Sequence, residues 1–139
     1  MDTKATLVAV YNYIVADSQL LTLMGLTGLP PSAISERIGK TRQLANVADR
    51  LPRLAIYETD PVPQNRRVST HTLVVDIVVP LEVQMSKGLA FDIATRIRAA
   101  LQGKSICMGF KWQTTLDEQK TAYGWHRTSV LFTYDRVEN

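Results

Sequence analysis

The stretch SKGLAFDIATRIRAAL, residues 86–101, decides the fold of this 139-residue chain. Its large apolar residues recur at every fourth position, namely Leu89, Ile93, Ile97 and Leu101. Alanines at 90, 94 and 100 lie beside that stripe and allow close packing against whatever it covers. This period predicts a helix with one buried face. We expect Ser86 to be its N-cap and Gly103 to follow its end.

Strand-like sequence lies on both sides of this central helix, at 70–83 and at 125–137. The first strand is expected to run from Val68 to about Val83, with the four residues Leu73, Val75, Ile77 and Val79 on one face. The opposite face holds Thr72, Val74, Asp76 and Val78, so the middle of the strand is apolar on both sides. Such a strand indicates helices over one face and a loop or another subunit over the other. Pro80 predicts a bulge or a sheet edge.

The remaining elements complete an α+β fold. Asp2 can cap a first helix that restarts at Asp17-Ser18 as a short turn ending at Gly25. Residues 53–58 read as a strand, 59–67 as a turn-rich loop, 106–115 as a third strand and 117–124 as a polar turn. The prediction is a single domain, 1–139, with a mostly antiparallel sheet of about four strands. The N-terminal and central helices pack on one face of that sheet.

A long basic loop is expected at 28–52, with room for a short helix near 32–38. Counted to residue 53, its basic residues are Arg37, Lys40, Arg42, Arg50 and Arg53, against the acidic Glu36 and Asp49. This excess of three equals the net charge of the whole chain, +3, so the rest is balanced. A connection of this length usually has a function or is disordered.

Composition excludes several classes of protein. Hydrophobic residues make up 45% of the chain and charged residues 21%, as in ordinary globular domains. No apolar run is long enough to span a bilayer, and the N-terminal stretch lacks a basic n-region, so it is expected to be a mature helix. The single cysteine, Cys107, cannot form an internal disulfide, which fits a reducing cytoplasm. The mildly basic pI near 9.2 permits nucleic-acid contact without arguing strongly for it.

Catalytic, cofactor and metal motifs are not found. Gly39-Lys40-Thr41 resembles the end of a phosphate-binding loop, but the glycine required five residues earlier is Ile34. His71 and His126 are expected to be partly exposed strand residues, and whether they are neighbours across two strands stays open. The pair Asp117-Glu118 is expected in a solvated turn, which supplies neither a cleft nor shifted pKa values. The chain is therefore predicted not to be an enzyme.

Three further residues are candidates for an edge or an interface. Asp76 lies mid-strand among valines and needs a partner such as an arginine. Trp112 and Trp125 flank the last turn, where each is either a core residue or an anchor for a partner at a sheet edge.

The order of these elements resembles the small tail-completion or tail-terminator (head–tail joining) proteins of long-tailed bacteriophages. Four segments carry the resemblance: LLTLMG at 20–25, LPRLAIY at 51–57, FDIATRIRAAL at 91–101 and RTSVLFTYDR at 127–136. It implies a structural virion protein of the tail or neck, made in the host cytoplasm, without cofactor or membrane contact. It further implies a ring, usually a hexamer, that ends tail-tube polymerisation and binds a head-side connector or stopper protein.

This resemblance gives the basic loop a role to test. We expect Arg37, Lys40, Arg42 and Arg50 to face the tube or connector, or to line a channel through which DNA passes. A neck or adaptor protein of the same virion is an alternative. A small nucleic-acid-binding α+β domain is another, and its affinity would depend steeply on salt.

Overall fold

The computed structural model describes residues 3–40, 52–59, 61–104, 109–120 and 124–137. Five helices are present in these residues: α1 (Thr3–Val15), α2 (Ser18–Leu23), α3 (Pro31–Arg37), α4 (Leu81–Lys87) and α5 (Leu89–Leu101). The strands are β1 (Ile38–Gly39), β2 (Arg53–Glu58), β3 (Val62–Pro63), β4 (Val68–Pro80), β5 (Lys111–Lys120) and β6 (Trp125–Val137).

One mixed, mostly antiparallel sheet organises the fold, with strand order β1-β2-β4-β6-β5 and β3 paired to β4. The predicted α+β class is confirmed. The sheet has six strands rather than about four, and the two shortest, β1 and β3, each pair with a neighbour over only two residues. The centre is the long antiparallel pair β4 and β6, in which Leu73 lies opposite Phe132 and Ile77 opposite Thr128. The only parallel pairing among the described strands joins β1 to β2.

The helices cover one face of this sheet, as the apolar periodicity predicts. Helix α5 packs on β4 and β6, and α1 packs on β2 and α5. The fully buried core between the layers includes Val10, Ile14, Ile56, Leu73, Val75, Ile77, Ile93, Ile97, Leu101 and Phe132. Removing these side chains from water supplies the main stabilisation of the domain.

The central helix begins later than predicted. Its cap is Gly88 rather than Ser86, because residues 81–87 form the separate helix α4. Gly88 ends α4 and begins α5 with a positive φ of 63°, a conformation that glycine adopts without steric cost. The expected strand to Val83 is therefore wrong: β4 ends at Pro80, whose missing N–H suits the start of a helix.

The N-terminal region follows the prediction closely. After α1, the Asp17 carboxylate caps α2 by accepting a hydrogen bond of 3.0 Å from the backbone N–H of Leu20. The predicted cap of α1, Asp2, lies outside the described residues. Within the expected loop at 28–52, the short helix expected near 32–38 is present as α3. The strand β1 was not predicted, and its residue Ile38 is buried in the core.

The last hairpin is shifted relative to the prediction. Strand β5 runs over 111–120 rather than 106–115, so Asp117 and Glu118 lie in a strand and not in a turn. A bulge between Trp112 and Thr114 shifts its register against β6. Residues 105–108, which include Cys107, and 121–123 lie outside the described residues. The prediction for β6 has the observed bounds.

Candidate functional site

The described part of the basic segment is bound to the body of the domain. The Arg37 guanidinium donates a hydrogen bond of 3.2 Å to the carbonyl oxygen of Pro52, on the far side of the segment. The Lys40 ammonium lies 4.3 Å from the centroid of the Tyr11 ring on α1, a cation–π contact. Arg53 is half-buried at the start of β2. These three residues therefore lie at the β1–β2 edge of the sheet, whereas Arg42 and Arg50 fall outside the described residues.

Gly39 and Lys40 take no part in a phosphate-binding loop. Gly39 belongs to β1, which pairs with Ala55 of β2, and its φ is not positive. Phosphate-binding loops instead lead from a buried strand into a helix whose N–H groups face the phosphate. In the described residues, Gly39 instead ends a two-residue strand that directly follows helix α3.

Trp112 lies at the opposite edge of the sheet, on the outer strand β5. Its side chain is 37% exposed, and the Arg98 guanidinium of α5 lies 3.8 Å from the ring centroid. The backbone N–H of Trp112 is bonded to the side-chain oxygen of Gln102 at 3.0 Å, and its indole N–H donates to Thr115. Held by these contacts, a half-exposed tryptophan beside an arginine has the composition of an interface hot spot.

The β5 edge continues beyond Trp112 without a neighbouring strand among the described residues. The bulge next to Gln113 twists the first part of the edge, a common protection against unwanted pairing. Farther along, Leu116 is 55% exposed on the sheet face that no described helix covers. This edge therefore offers both backbone groups and apolar surface to a partner.

The sheet face opposite the helices is open in the described chain. It includes Ala55, Val74, Val78, Leu131 and Leu116, which alternate with the core residues of their strands. Two of these, Ala55 and Val74, are already buried by their neighbours, and the others are half-buried or exposed. The predicted second apolar face of β4 is therefore present. Among the described residues, no loop covers this face, although one was expected.

Asp76 and Trp125 are not exposed anchors. Asp76 is 3% exposed on the central strand β4, so its predicted place at an edge is wrong. Its carboxylate accepts hydrogen bonds from Tyr57 at 3.0 Å and Ser129 at 2.5 Å, where an arginine partner was expected. Trp125 is 5% exposed on the inner strand β6, so its indole is packed inside the monomer. Of the three predicted interface residues, only Trp112 lies at an edge.

A buried polar cluster lies where α1 begins over the sheet. It was not predicted from the sequence. It joins Glu58 of β2, His71 of β4, and Tyr134 and Arg136 of β6, all nearly inaccessible to solvent. The Tyr134 hydroxyl donates to the Glu58 carboxylate. Burial, this hydrogen bond and the charge of Glu58 raise the pKa of Tyr134 well above its ordinary value, against the opposing effect of Thr6 and Arg136.

The second histidine lies at the other end of the sheet. His126 is 2% exposed, and its Nε2 atom is 3.0 Å from the Thr128 hydroxyl and 3.3 Å from the Asp117 carboxylate. The expectation of partly exposed histidines is therefore wrong, and the two are not neighbours: His71 lies opposite Tyr134, and His126 opposite Val79. Over the described ranges, no group of three or more His, Cys, Asp or Glu side chains could hold a metal ion.

An ion pair joins the start of α2 to the central helix. The Arg96 guanidinium donates to the Asp17 carboxylate at 2.6 Å, and the Asp17 side chain is only 10% exposed. Burial by itself would raise the pKa of Asp17, but the hydrogen bonds from Arg96 and Leu20 and the charge of Arg96 outweigh it, so the pKa is lowered. This contact stabilises the helix layer and lies away from both sheet edges. Within the described residues, no helix has the length and apolar character to cross a bilayer.

Comparison with known proteins reveals a shared fold. No family model matches the chain. No curated protein matches it either. Among solved structures, it is similar to a chain from the virion of a native gene transfer agent (GTA) particle, with a TM-score of 0.62 and 15% sequence identity. The match covers 94% of this chain and 92% of that chain, so the two folds agree over nearly their whole lengths.

Proposed function

We propose that this chain is a structural protein of a phage-like virion and acts as a tail terminator. In this role it forms a ring on the last ring of the tail tube, stops tube growth and joins the tail to the head. The single observation that carries the virion assignment is the match, over nearly the full length of both chains, to a chain of a gene transfer agent virion. The resemblance of segments such as LPRLAIY and FDIATRIRAAL to tail-completion proteins supports the finer role.

The two edges of the sheet suit a ring. The β5 edge, with Trp112 and Leu116, and the β1–β2 edge, with Lys40, lie at opposite ends of one strand order. A contact between different surfaces of identical subunits closes into a ring when its rotation closes. Closure leaves no sheet edge free to pair elsewhere, which is how symmetric assemblies avoid open aggregation. We therefore place neighbouring copies edge to edge, and Trp112 is the first residue at which this contact should be tested.

The proposal assigns no catalytic activity to the chain. The buried cluster of Glu58, His71, Tyr134 and Arg136 contains acid–base groups, but these groups hydrogen-bond to one another and none of the four is exposed to a substrate. A catalytic site requires a nucleophile, a base and a stabilising group around a space that substrate can enter. The groups of this cluster tie α1 to three strands.

The direct test mixes purified protein with tail tubes of the same virion. We expect rings at tube ends in electron micrographs and an arrest of further tube growth. The double variant Arg42→Glu/Arg50→Glu reverses two charges of the basic segment and is expected to weaken capping without unfolding the domain. Lys4→Glu, a single charge reversal on the exposed face of α1, is the control for a general electrostatic effect. Tubes that elongate equally with and without the protein contradict the terminator role.

The same samples separate the alternatives. If the protein does not bind tubes but binds the head-side connector, it is an adaptor of the neck. If the protein binds neither but binds DNA, and the affinity falls steeply between 50 and 200 mM salt, it is a nucleic-acid-binding domain. The expected fall is roughly a thousandfold for six phosphate contacts.

A further inference from the structure

Leu116 and Gly39 lie level with each other at the two outer edges of the sheet. Leu116 of β5 is opposite Ser129 of β6, which is opposite Asp76 of the central strand β4. Gly39 of β1 is opposite Ala55 of β2, which is opposite the same Asp76. Four strand spacings separate the two residues within one copy, which is about 19 Å.

These two residues also share a face of the sheet. Leu116 is 55% exposed on the face that no described helix covers. Gly39 lies on the same face, because its partner Ala55 does, and a glycine places no side chain there. One edge therefore presents a protruding apolar side chain, and the other edge has room for such a side chain at the same height.

The next residue on each edge carries a charge, and the two charges are opposite. The Asp117 carboxylate of β5 is 45% exposed, and it lies 2.6 Å from the Thr128 hydroxyl and 3.3 Å from His126. Both of those partners are buried under the helix layer. Lys40, directly after β1, is exposed, and its ammonium lies 4.3 Å from the ring centroid of Tyr11 on α1. The acidic and the basic group therefore lie on the helix-covered side of the sheet, at opposite edges.

We propose that β5 of one copy pairs with β1 of the next copy, so that Leu116 lies opposite Gly39. This inference rests on the ring of the proposed function and names the contact that closes it. Strand β5 runs in the direction of β4 and β1 in the opposite direction, so neighbours of the same orientation pair in the antiparallel manner. Lys40 then lies opposite Thr115, and Asp117 is its diagonal neighbour, within reach of a long side chain.

The contact combines complementary shape with complementary charge. The part of β5 that it uses lies beyond the bulge between Trp112 and Thr114, where the pairing with β6 is regular. Because β1 has only two residues, one such contact is short. In a closed ring each copy is held on both sides, so weak contacts of this kind reinforce one another.

Disulfide crosslinking tests the register of this contact. The variant Gly39→Cys/Leu116→Cys is made in a Cys107→Ser background, which removes the native thiol. A disulfide requires Cα atoms about 4.4–6.8 Å apart, so a bond between these positions joins two copies. We expect a ladder of covalent oligomers on a non-reducing denaturing gel. The control Gly39→Cys/Glu118→Cys moves the second thiol two residues along the same face and is expected to stay monomeric. Equal crosslinking of the two variants overturns the proposal.

A charge exchange tests the ionic part of the contact. Lys40→Glu places two negative charges at the contact and is expected to weaken association about tenfold at low salt. The double variant Lys40→Glu/Asp117→Lys restores the attraction and should recover association. Lys4→Glu, on the exposed face of α1, is expected to have no effect. A loss that the double variant does not recover overturns the proposal, and if that variant does not fold, the crosslink decides.

Electron microscopy of tail tubes incubated with the cysteine variant separates this contact from the terminator role. Crosslinked copies that do not cap tubes support the contact and contradict the terminator role. Capped tubes without crosslinks overturn the contact and leave the terminator role in place. If neither crosslinks nor capped tubes are found, both are contradicted.

Discussion

The guanidinium of Arg98 lies 3.8 Å above the ring of Trp112, joining the outer face of α5 to the outer strand of the sheet. This pair is formed within the monomer, and it still leaves the indole 37% exposed. Because the arginine fixes the ring, Trp112 needs little further ordering when a partner binds, which favours affinity. At this position of the β5 edge, an exposed side chain is therefore already ordered for contact with a neighbouring molecule.

Replacing Trp112 with alanine is expected to remove ring formation while leaving the monomer folded. A central interface tryptophan typically contributes 2 kcal/mol or more to binding, which corresponds to at least about a thirtyfold loss of affinity. Light scattering across a concentration series, with and without tail tubes, gives the association directly. The control is Met85→Ala, which truncates a more exposed apolar side chain on α4, away from both sheet edges. Equal loss of assembly in both variants contradicts an assignment to the β5 edge.

Removing the carboxylate of Asp17 is expected to destabilise the helix layer. Asp17→Asn loses the ion pair to Arg96 while keeping an oxygen that can cap α2, and the cost is about 1 kcal/mol at pH 7. The lowered pKa of Asp17 means that its contribution is present above the pKa of the unfolded chain and is lost as the pH falls through the folded value. Urea denaturation at pH 7 and at pH 3 should therefore show a smaller difference between wild type and variant at pH 3. A difference that grows toward acid pH would contradict the assigned charge.

Tyr134 is expected to resist ionisation for as long as the domain is folded. Its pKa is raised, so the stabilisation it gives is complete below the ordinary tyrosine pKa and is lost as the pH rises further. Absorbance at alkaline pH should show a tyrosine that titrates only with unfolding. In Tyr134→Phe this late step is expected to disappear. A Tyr134→Phe variant that keeps the late step rules out the assignment.

The junction of α4 and α5 is expected to depend on glycine. Gly88 has a φ of +63°, and an added Cβ would meet Cδ2 of Phe91 at 3.5 Å, an ordinary contact. Strain rather than crowding therefore makes Gly88→Ala unfavourable, by about 1 kcal/mol, which lowers the melting temperature by about 3–5 °C. Gly88→Asn should cost less, because asparagine tolerates this conformation. Calorimetry of the two variants tests this order, and an alanine variant as stable as wild type contradicts it.

Local sequence predicted the elements that carry their own signals. The period of Leu89, Ile93 and Ile97 identified the helix that covers the sheet, and alternation gave β6 its observed bounds. The prediction failed where two structures compete for the same residues. Residues 81–83 are apolar enough to extend β4, yet after Pro80 they begin α4, because the chain must leave the sheet to reach the helix layer.

The buried polar cluster could not be predicted in the same way. Glu58, His71 and Arg136 are far apart in sequence and meet only through the register of three strands. A shift of one residue in any strand would turn its side chain to the opposite face. Alternation of core residues along β4 places His71 on the covered face, so its burial was accessible from the sequence, whereas the identity of its partners was not.

Electron microscopy of tail tubes incubated with the protein tests the central claim most directly. The account predicts one ring at the growing end of each tube, a fixed tube length after its addition, and loss of both in Trp112→Ala. Tubes that continue to grow with the wild-type protein present, or rings that form equally well with Trp112→Ala, would contradict it.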